Sequence, residues 1–147
     1  MKKRKNLGQH FLKSKTIAKS IASAAEITKN DVVLEIGTGY GILVPYLCNK
    51  AKQVFSIEAD RNLHVLAQSN FHEYSNLILE FGNGFTSTHS FSIFVSNLPY
   101  SKSRFAIEWL LQKKFSAAVI MVQKEFANKL VSRDEHKAVA VLANYGF

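Results

Sequence analysis

The tetrapeptide Asn97-Leu98-Pro99-Tyr100 is the group of residues best suited to chemistry. An exocyclic amine on adenine is a poor nucleophile because its lone pair is delocalised into the ring. The Asn97 side-chain oxygen and the Leu98 carbonyl, held outward by the rigid Pro99, can accept both amine protons and return electron density to the nitrogen. Tyr100 can stack on the base and align the amine with a methyl donor. Standing alone, the tetrapeptide is better interpreted as a proline-centred turn with a half-buried tyrosine.

A glycine turn and an acidic residue predict a cofactor site. Gly37-Thr38-Gly39-Tyr40-Gly41 has G-x-G-x-G spacing, which differs from the G-x-G-x-x-G pattern suited to a pyrophosphate. Glu58 lies 21 positions after Gly37 (58 − 37), where a carboxylate can accept both ribose hydroxyls of an adenosine. Each signal alone is also explained by a tight turn or a solvated acid. Together they predict a nucleoside cofactor without a pyrophosphate, with S-adenosylmethionine as the candidate.

These groups follow short apolar segments, which the sequence predicts to be strands. The segments alternate with helical patterns, including an amphipathic helix over 14–25 with Ser14 as its cap. Such alternation is typical of an α/β fold with a mostly parallel sheet covered on both faces, where ligands bind at the carboxyl ends of the strands. The predicted strands are 31–36, 53–57, 77–81, 92–96 and 117–122, and the other predicted helices are 42–47, 62–72, 101–114 and 125–131.

Residues facing inward on two of these helices follow from their apolar patterns. We expect Leu63, Leu66 and Ala67 to face the core from one helix, and Phe105, Trp109 and Leu110 from another.

The composition predicts one soluble domain over residues 1–147. Hydrophobic residues make up 47% of the chain, which excludes a disordered class, and no apolar run approaches the length of a membrane span. The single cysteine, Cys48, excludes a disulfide framework and fits a reducing cytoplasm. The basic amino terminus is followed by a polar segment rather than an apolar core, which argues against secretion.

Positive charge is concentrated at the amino terminus. The chain has 19 basic and 11 acidic side chains, a net charge of +8, and residues 1–29 hold eight of the basic side chains against Glu26, which is +7. We therefore predict that residues 1–12 form a basic arm that binds a polyanion through Lys2, Lys3, Arg4 and Lys5. The alternative is a solvated, disordered tail.

Five motifs occur in order across almost the whole chain. They are Gly8-Gln9-His10-Phe11-Leu12, Leu34-Glu35-Ile36-Gly37-Thr38-Gly39-Tyr40-Gly41, Ile57-Glu58-Ala59-Asp60, Asn97-Leu98-Pro99-Tyr100 and Met121-Val122-Gln123-Lys124-Glu125-Phe126-Ala127. These motifs resemble those of the rRNA adenine N6-dimethyltransferase family. Their residues are most similar to the branch that modifies small-subunit, 16S-type rRNA, while the branch that modifies large-subunit rRNA is a related alternative.

The resemblance implies a Rossmann-like class I methyltransferase fold and S-adenosylmethionine-dependent dimethylation of adenines in a small-subunit rRNA precursor. The enzyme is expected to be a cytoplasmic monomer without a metal. The implied catalytic residues are Asn97, Leu98, Pro99 and Tyr100, and the implied cofactor-binding residues are His10, Leu12, Gly37, Gly39, Glu58, Asn83 and Asn97.

Two positions depart from the family pattern. The family usually has an Asp that accepts a hydrogen bond from the cofactor adenine, whereas this chain has Asn83, which keeps one acceptor oxygen or forms only an Asn-Gly turn. Lys102 and Arg104 stand where the family usually has small or apolar residues. We expect them to contact RNA phosphates, and the alternative is an exposed basic first turn of a helix.

The chain also ends earlier than the family pattern does. Family members continue with two further strands, which carry a Phe/Pro-rich motif, and with a small helical domain that grips rRNA. We therefore expect the sheet to stop at about five strands, with an exposed edge at the fifth, in either a fragment or a natural short chain.

Two other classes of function compete with the enzyme. A non-catalytic rRNA-binding or assembly factor could keep the fold and the basic arm, and S-adenosylmethionine binding would separate the two classes. The glycine spacing and the acceptor-rich tetrapeptide disfavour a nucleotide-dependent oxidoreductase.

Overall fold

The computed structural model describes residues 11–131 and 139–144. Helices and strands alternate along the chain, as the sequence predicts. Among these residues, two 3₁₀ turns lie at Gly84–Thr86 and Tyr100–Lys102. In chain order the elements are α1 (Lys15–Ala24), β1 (Val32–Ile36), α2 (Val44–Lys50), β2 (Gln53–Glu58), α3 (Arg61–Asn70), β3 (Leu77–Phe81), β4 (Ile93–Ser96), α4 (Ser103–Leu110), β5 (Ala117–Gln123), α5 (Lys124–Val131) and β6 (Val139–Asn144).

The strands form one parallel sheet in the order β3-β2-β1-β4-β5-β6. The strand order reverses between β1 and β4, so a crevice opens at the carboxyl ends of these two strands. The central strands are almost continuous apolar runs because parallel sheets are buried on both faces. This architecture confirms the predicted Rossmann-like class I methyltransferase fold.

The number of strands differs from the prediction. A sixth strand, β6, pairs with β5 from Ala118↔Val139 to Gln123↔Asn144, so the described sheet has one strand more than the expected five, and β5 is not its edge. Pairing with β6 satisfies the backbone hydrogen bonds that β5 would otherwise leave open. The segment that pairs is itself apolar and short, which suits a strand.

Two hydrophobic cores lie on opposite faces of the sheet. One joins α1 and α2 to the strands, and the other joins α4 and α5 to them. Representative members of the first are Ala18, Ile21, Val33, Leu47 and Val54, and of the second Leu34, Phe94, Leu110, Ile120 and Ala127.

The cap predicted for α1 is confirmed, but the buried faces of α3 and α4 differ from the predicted ones. The Ser14 side chain accepts from the Ile17 backbone N–H at 3.2 Å. In α3, Ala67 is buried, whereas Leu66 is 41% exposed because it lies about 100° around the helix from Ala67.

The inward face of α4 also differs from the prediction. It is formed by Ser103, Ala106, Ile107 and Leu110, at i, i+3, i+4 and i+7. Phe105 lies off this stripe and is 51% exposed. The predicted inward position of Phe105 is therefore wrong, whereas that of Leu110 is confirmed. Within the described part of the chain, no helix combines the length and apolarity needed to cross a membrane.

Candidate active site

A pocket of about 560 Å³ lies at the carboxyl ends of β1, β2, β3 and β4. Its size suits a nucleoside-sized ligand, and its position is the crevice that the strand order predicts. The sequence-predicted residues that line it are Leu12, Gly37, Gly39, Glu58, Asn83, Asn97, Leu98, Pro99 and Lys102.

The glycine turn after β1 lines this pocket. Gly37 and Gly39 have φ angles of +87° and +58°, which favour glycine. The Gly37 N–H donates to the Ile57 carbonyl at 2.8 Å, tying the start of the turn to β2. The turn therefore has a defined position before any ligand binds.

Glu58, the last residue of β2, holds the other side of the turn. Its side chain is 4% exposed. Oε2 accepts from the Gly39 N–H at 2.8 Å, and Oε1 accepts from the Asp60 N–H at 2.9 Å. Each carboxylate oxygen can accept a second hydrogen bond, so the fixed carboxylate can still receive the two hydroxyls of a ribose. This donor-acceptor set fits an adenosine cofactor.

The Asn97-Leu98-Pro99-Tyr100 segment follows β4 on the opposite side of the pocket. Ser96 Oγ donates to the Ile36 carbonyl at 2.6 Å, which locks the ends of β4 and β1 together just before Asn97. Leu98 is buried, and Pro99 precedes the 3₁₀ turn that Tyr100 begins. Tyr100 is half-buried beside the pocket rather than on its lining, and burial raises the pKa of its phenol.

Asn83 both lines the pocket and makes a turn. Its side-chain oxygen accepts from the Phe85 N–H at 3.0 Å and so caps the 3₁₀ turn Gly84–Thr86. The same oxygen can accept one further hydrogen bond, such as one from an adenine amine. The two interpretations of Asn83 from sequence are therefore compatible.

Comparison with known proteins identifies the family. Residues 1–146 match the family described as "Ribosomal RNA adenine dimethylase". The chain belongs to this family. Ribosomal RNA small subunit methyltransferase A of Clostridium botulinum is 37% identical, over 96% of this chain and 56% of the relative. A probable ribosomal RNA small subunit methyltransferase A of Methanococcus vannielii is 36% identical, over 99% of this chain and 57% of the relative.

Two solved structures share the fold. A dimethyladenosine transferase from Plasmodium falciparum superposes with a TM-score of 0.77 at 33% identity, over 84% of this chain and 47% of that one. The 23S rRNA methyltransferase ErmE superposes with a TM-score of 0.78 at 28% identity, over 82% of this chain and 50% of that one. This chain of the dimethylase family thus spans about half the length of the relatives it matches.

The remaining predicted site residues fall into two groups. His10, Lys2, Lys3, Arg4 and Lys5 are outside the described residues. Arg104 does not line the pocket: its Nε donates to Glu108 Oε1 at 3.1 Å, one turn further along α4. Lys102 and Arg104, which sequence reasoning treated alike, are therefore in different surroundings.

Several pocket residues were not predicted as site residues from sequence, among them Glu35, Phe85 and Phe105. Glu35 could have been identified from sequence, because it is an acidic residue inside the apolar run of β1. The two phenylalanines carried no local signal, because apolar residues in a helix or turn are ordinarily assigned to the core.

Glu35 is fully buried and hydrogen-bonded below the glycine turn. Ser56 Oγ donates to Glu35 Oε2 at 2.6 Å, and Thr38 Oγ1 lies 2.6 Å from Ser56 Oγ. Burial raises the pKa of Glu35 to about 8, the Ser56 hydrogen bond opposes the rise, and the nearby Glu58 carboxylate adds to it. Glu35 is therefore mainly protonated at neutral pH.

We expect Glu35→Gln to remove a pH dependence of folding stability. Because the pKa of Glu35 rises from 4.5 to about 8 on folding, the folded chain holds a proton that the unfolded chain releases. This contribution to stability is fully present below pH 4.5 and is lost as the pH rises through about 8. The stability of Glu35→Gln relative to wild type should therefore increase from acidic to alkaline pH, measured by urea unfolding.

The exposed Glu73 supplies the matched control. Glu73→Gln should leave the pH profile of the unfolding free energy parallel to that of wild type. A parallel profile for Glu35→Gln would instead contradict the buried, protonated state of Glu35.

Proposed function

We propose that this chain uses S-adenosylmethionine to dimethylate the N6 amine of adenines in small-subunit rRNA during ribosome maturation. The observation that carries the proposal is the shared pocket: the acceptor pair Asn97 and Leu98 lines it opposite Glu58. The names of the relatives that are 36–37% identical to this chain support small-subunit rRNA as the substrate.

The cofactor is held by residues from three strand ends. Glu58 accepts the ribose hydroxyls, Asn83 accepts from the adenine amine, and Leu12 with the Gly37 and Gly39 backbone holds the methionine end, together with His10. When bound, the cofactor supplies an electron-poor methyl group on a sulfonium. The fixed carboxylate of Glu58 and the pocket volume of about 560 Å³ support this assignment.

The target amine is activated by acceptors rather than by a strong base. The Asn97 side-chain oxygen and the Leu98 carbonyl each take one amine proton into a hydrogen bond, so the nitrogen lone pair is less delocalised into the ring. Pro99 fixes its own φ angle and so restricts the backbone beside the Leu98 carbonyl, and Tyr100 stacks on the base. The adenine must leave its own base stack to reach them.

Binding of rRNA is assigned to basic residues. Lys2, Lys3, Arg4 and Lys5 neutralise phosphates along the arm, and Lys102 and Arg104 approach the RNA beside the target base. The proposed enzyme acts as a cytoplasmic monomer. The similarity to ErmE favours one second candidate, methylation of an adenine in large-subunit rRNA.

A methylation assay tests the proposal. The chain is incubated with isotope-labelled S-adenosylmethionine and with either small-subunit or large-subunit precursor RNA, and digested nucleosides are analysed by mass spectrometry. We expect labelled N6,N6-dimethyladenosine from the small-subunit RNA alone. Label in the large-subunit RNA alone would favour the second candidate. Cofactor and RNA binding without label in either RNA would indicate a non-catalytic rRNA-binding factor.

A further inference from the structure

Phe105 is an exposed aromatic residue that the packing of α4 does not require. The helix contacts the core through Ser103, Ala106, Ile107 and Leu110, whereas the Phe105 ring is 51% exposed and lines the pocket. Leaving so large an apolar ring in water forgoes the stabilisation that its burial would bring. An exposed ring at a pocket of this kind points to a ligand that covers it.

The Phe105 ring is held in place from one side. It meets the Phe85 ring edge-on, with centroids 4.9 Å apart at 87°. Trp109 braces Phe85 in turn, through a ring contact at 5.4 Å and a hydrogen bond from its Nε1 to the Phe85 carbonyl at 2.9 Å. A ring held in this way loses little freedom when a flat ligand stacks on it.

Lys102 adds a positive charge at the same end of the pocket. It lies three positions before Phe105, lines the pocket, and among the residues that the structure describes pairs with no carboxylate. Arg104, by contrast, is paired with Glu108. A pocket lined by both an aromatic ring and an ammonium suits a nucleotide, which offers a flat base and an anionic phosphate.

The charge of Lys102 favours RNA over the cofactor as the source of this nucleotide. S-adenosylmethionine has no phosphate and is a cation at its sulfonium, and its carboxylate is assigned above to the Leu12 and glycine-turn end. Lys102 and Phe105 instead follow the segment Asn97–Tyr100, which is assigned to the target base. A neighbouring nucleotide of the same strand must pass close to that segment.

We propose that Phe105 and Lys102 form a subsite for the RNA nucleotide next to the target adenine. The neighbouring base stacks on the Phe105 ring, and its phosphate contacts the Lys102 ammonium. The choice of RNA as the ligand of this subsite rests on the proposed function. The subsite selects RNA strands in which the base beside the target is also unpaired.

Direct binding of RNA tests the subsite. The full chain, saturated with S-adenosylhomocysteine, is titrated into a labelled single-stranded RNA with one central adenine flanked by purines, and anisotropy is followed. Phe105→Ala should weaken binding about tenfold, the scale of one lost stacking contact. With an RNA that is abasic beside the central adenine, wild type and Phe105→Ala should bind within about twofold of each other.

Conservative and distant variants separate stacking from folding. Phe105→Tyr keeps the ring and should bind within about twofold of wild type, whereas Phe105→Leu keeps apolar bulk and should bind about as weakly as Phe105→Ala. Leu111 is 43% exposed at the other end of α4, so Leu111→Ala removes exposed apolar surface away from the subsite. This control variant should not change RNA binding.

The salt dependence of binding tests Lys102. Lys102→Ala should lower the slope of log affinity against log salt concentration by about 0.7, the value for one phosphate of a single strand. Lys52→Ala, at the start of β2 and so at the opposite end of the sheet, should leave the slope unchanged.

Two results would overturn the subsite. One is equal RNA affinity for wild type and Phe105→Ala. The other is a tenfold loss of S-adenosylhomocysteine affinity in Phe105→Ala by calorimetry, because the ring would then cover the cofactor's purine. Failure of the proposed function is distinguishable, since a chain that binds RNA with the expected Phe105 dependence but transfers no methyl group contradicts only that function.

Discussion

Replacing Asn97 with alanine is expected to abolish detectable methyl transfer, a loss of about 10³-fold. Removal of one positioned hydrogen-bonding group that acts on the reacting atoms has an effect of this size in other enzymes. Without the Asn97 oxygen, the amine keeps one acceptor, the Leu98 carbonyl, and its lone pair stays delocalised. Single-turnover transfer from labelled S-adenosylmethionine to small-subunit RNA measures the loss.

Further variants separate this role from folding. Asn97→Asp keeps an acceptor oxygen and should retain part of the activity. Asn70→Ala changes an exposed asparagine at the end of α3 and should behave as wild type. Circular dichroism should show the same secondary structure for Asn97→Ala, because the strand-end hydrogen bond from Ser96 to Ile36 does not involve Asn97. Full turnover by Asn97→Ala would refute the assigned mechanism.

Replacing Glu58 with alanine is expected to weaken S-adenosylhomocysteine binding about 100-fold. Hydrogen bonds to a charged group contribute about 1.5–3 kcal/mol each, and tenfold in affinity corresponds to about 1.4 kcal/mol. The variant loses the ribose acceptors and also leaves the Gly39 and Asp60 N–H groups without their carboxylate. The melting temperature should therefore fall as well, and calorimetry with a thermal scan measures both effects.

A glutamate outside the pocket provides the control. Glu80 lies on β3 and pairs with His89, so Glu80→Ala removes a strand carboxylate without touching the pocket. Its cofactor affinity should match that of wild type. Glu58→Gln, which keeps one acceptor oxygen but turns an NH₂ group towards a backbone N–H, should bind more weakly than wild type. Wild-type affinity in Glu58→Ala would mean that the ribose is held elsewhere.

Local pattern was sufficient to predict much of the fold. Ser14 was identified as a cap because capping depends on a residue three positions away, and β3 begins and ends where its apolar run does. Pocket residues directly after strands were identified because the carboxyl ends of the strands in a parallel sheet meet at one edge. The pairing of β6 with β5 was missed, because the residues of one segment do not indicate which other segment it pairs with.

The surroundings of single side chains were the least predictable feature. Lys102 and Arg104 are two positions apart in one basic segment, yet the helical turn directs Arg104 to Glu108 while Lys102 lines the pocket. Phe105 and Leu66 looked like core residues, and small shifts of helix phase leave both exposed. Glu35 became a buried, protonated acid because the folded chain removes it from water, although β2 places Ser56 beside it as a hydrogen-bond donor that opposes the rise in its pKa.

By itself, the sequence determined the family, the order of strands and helices and the set of residues after each strand, because these depend on motifs and periodicities within a few positions. Only the tertiary structure decided that Glu58 holds the glycine turn, that Glu35 is shielded from water, that Phe105 stands exposed beside Lys102 and that β6 covers β5. Each of these depends on distances and burial between segments far apart in the chain, and such contacts exist only after folding.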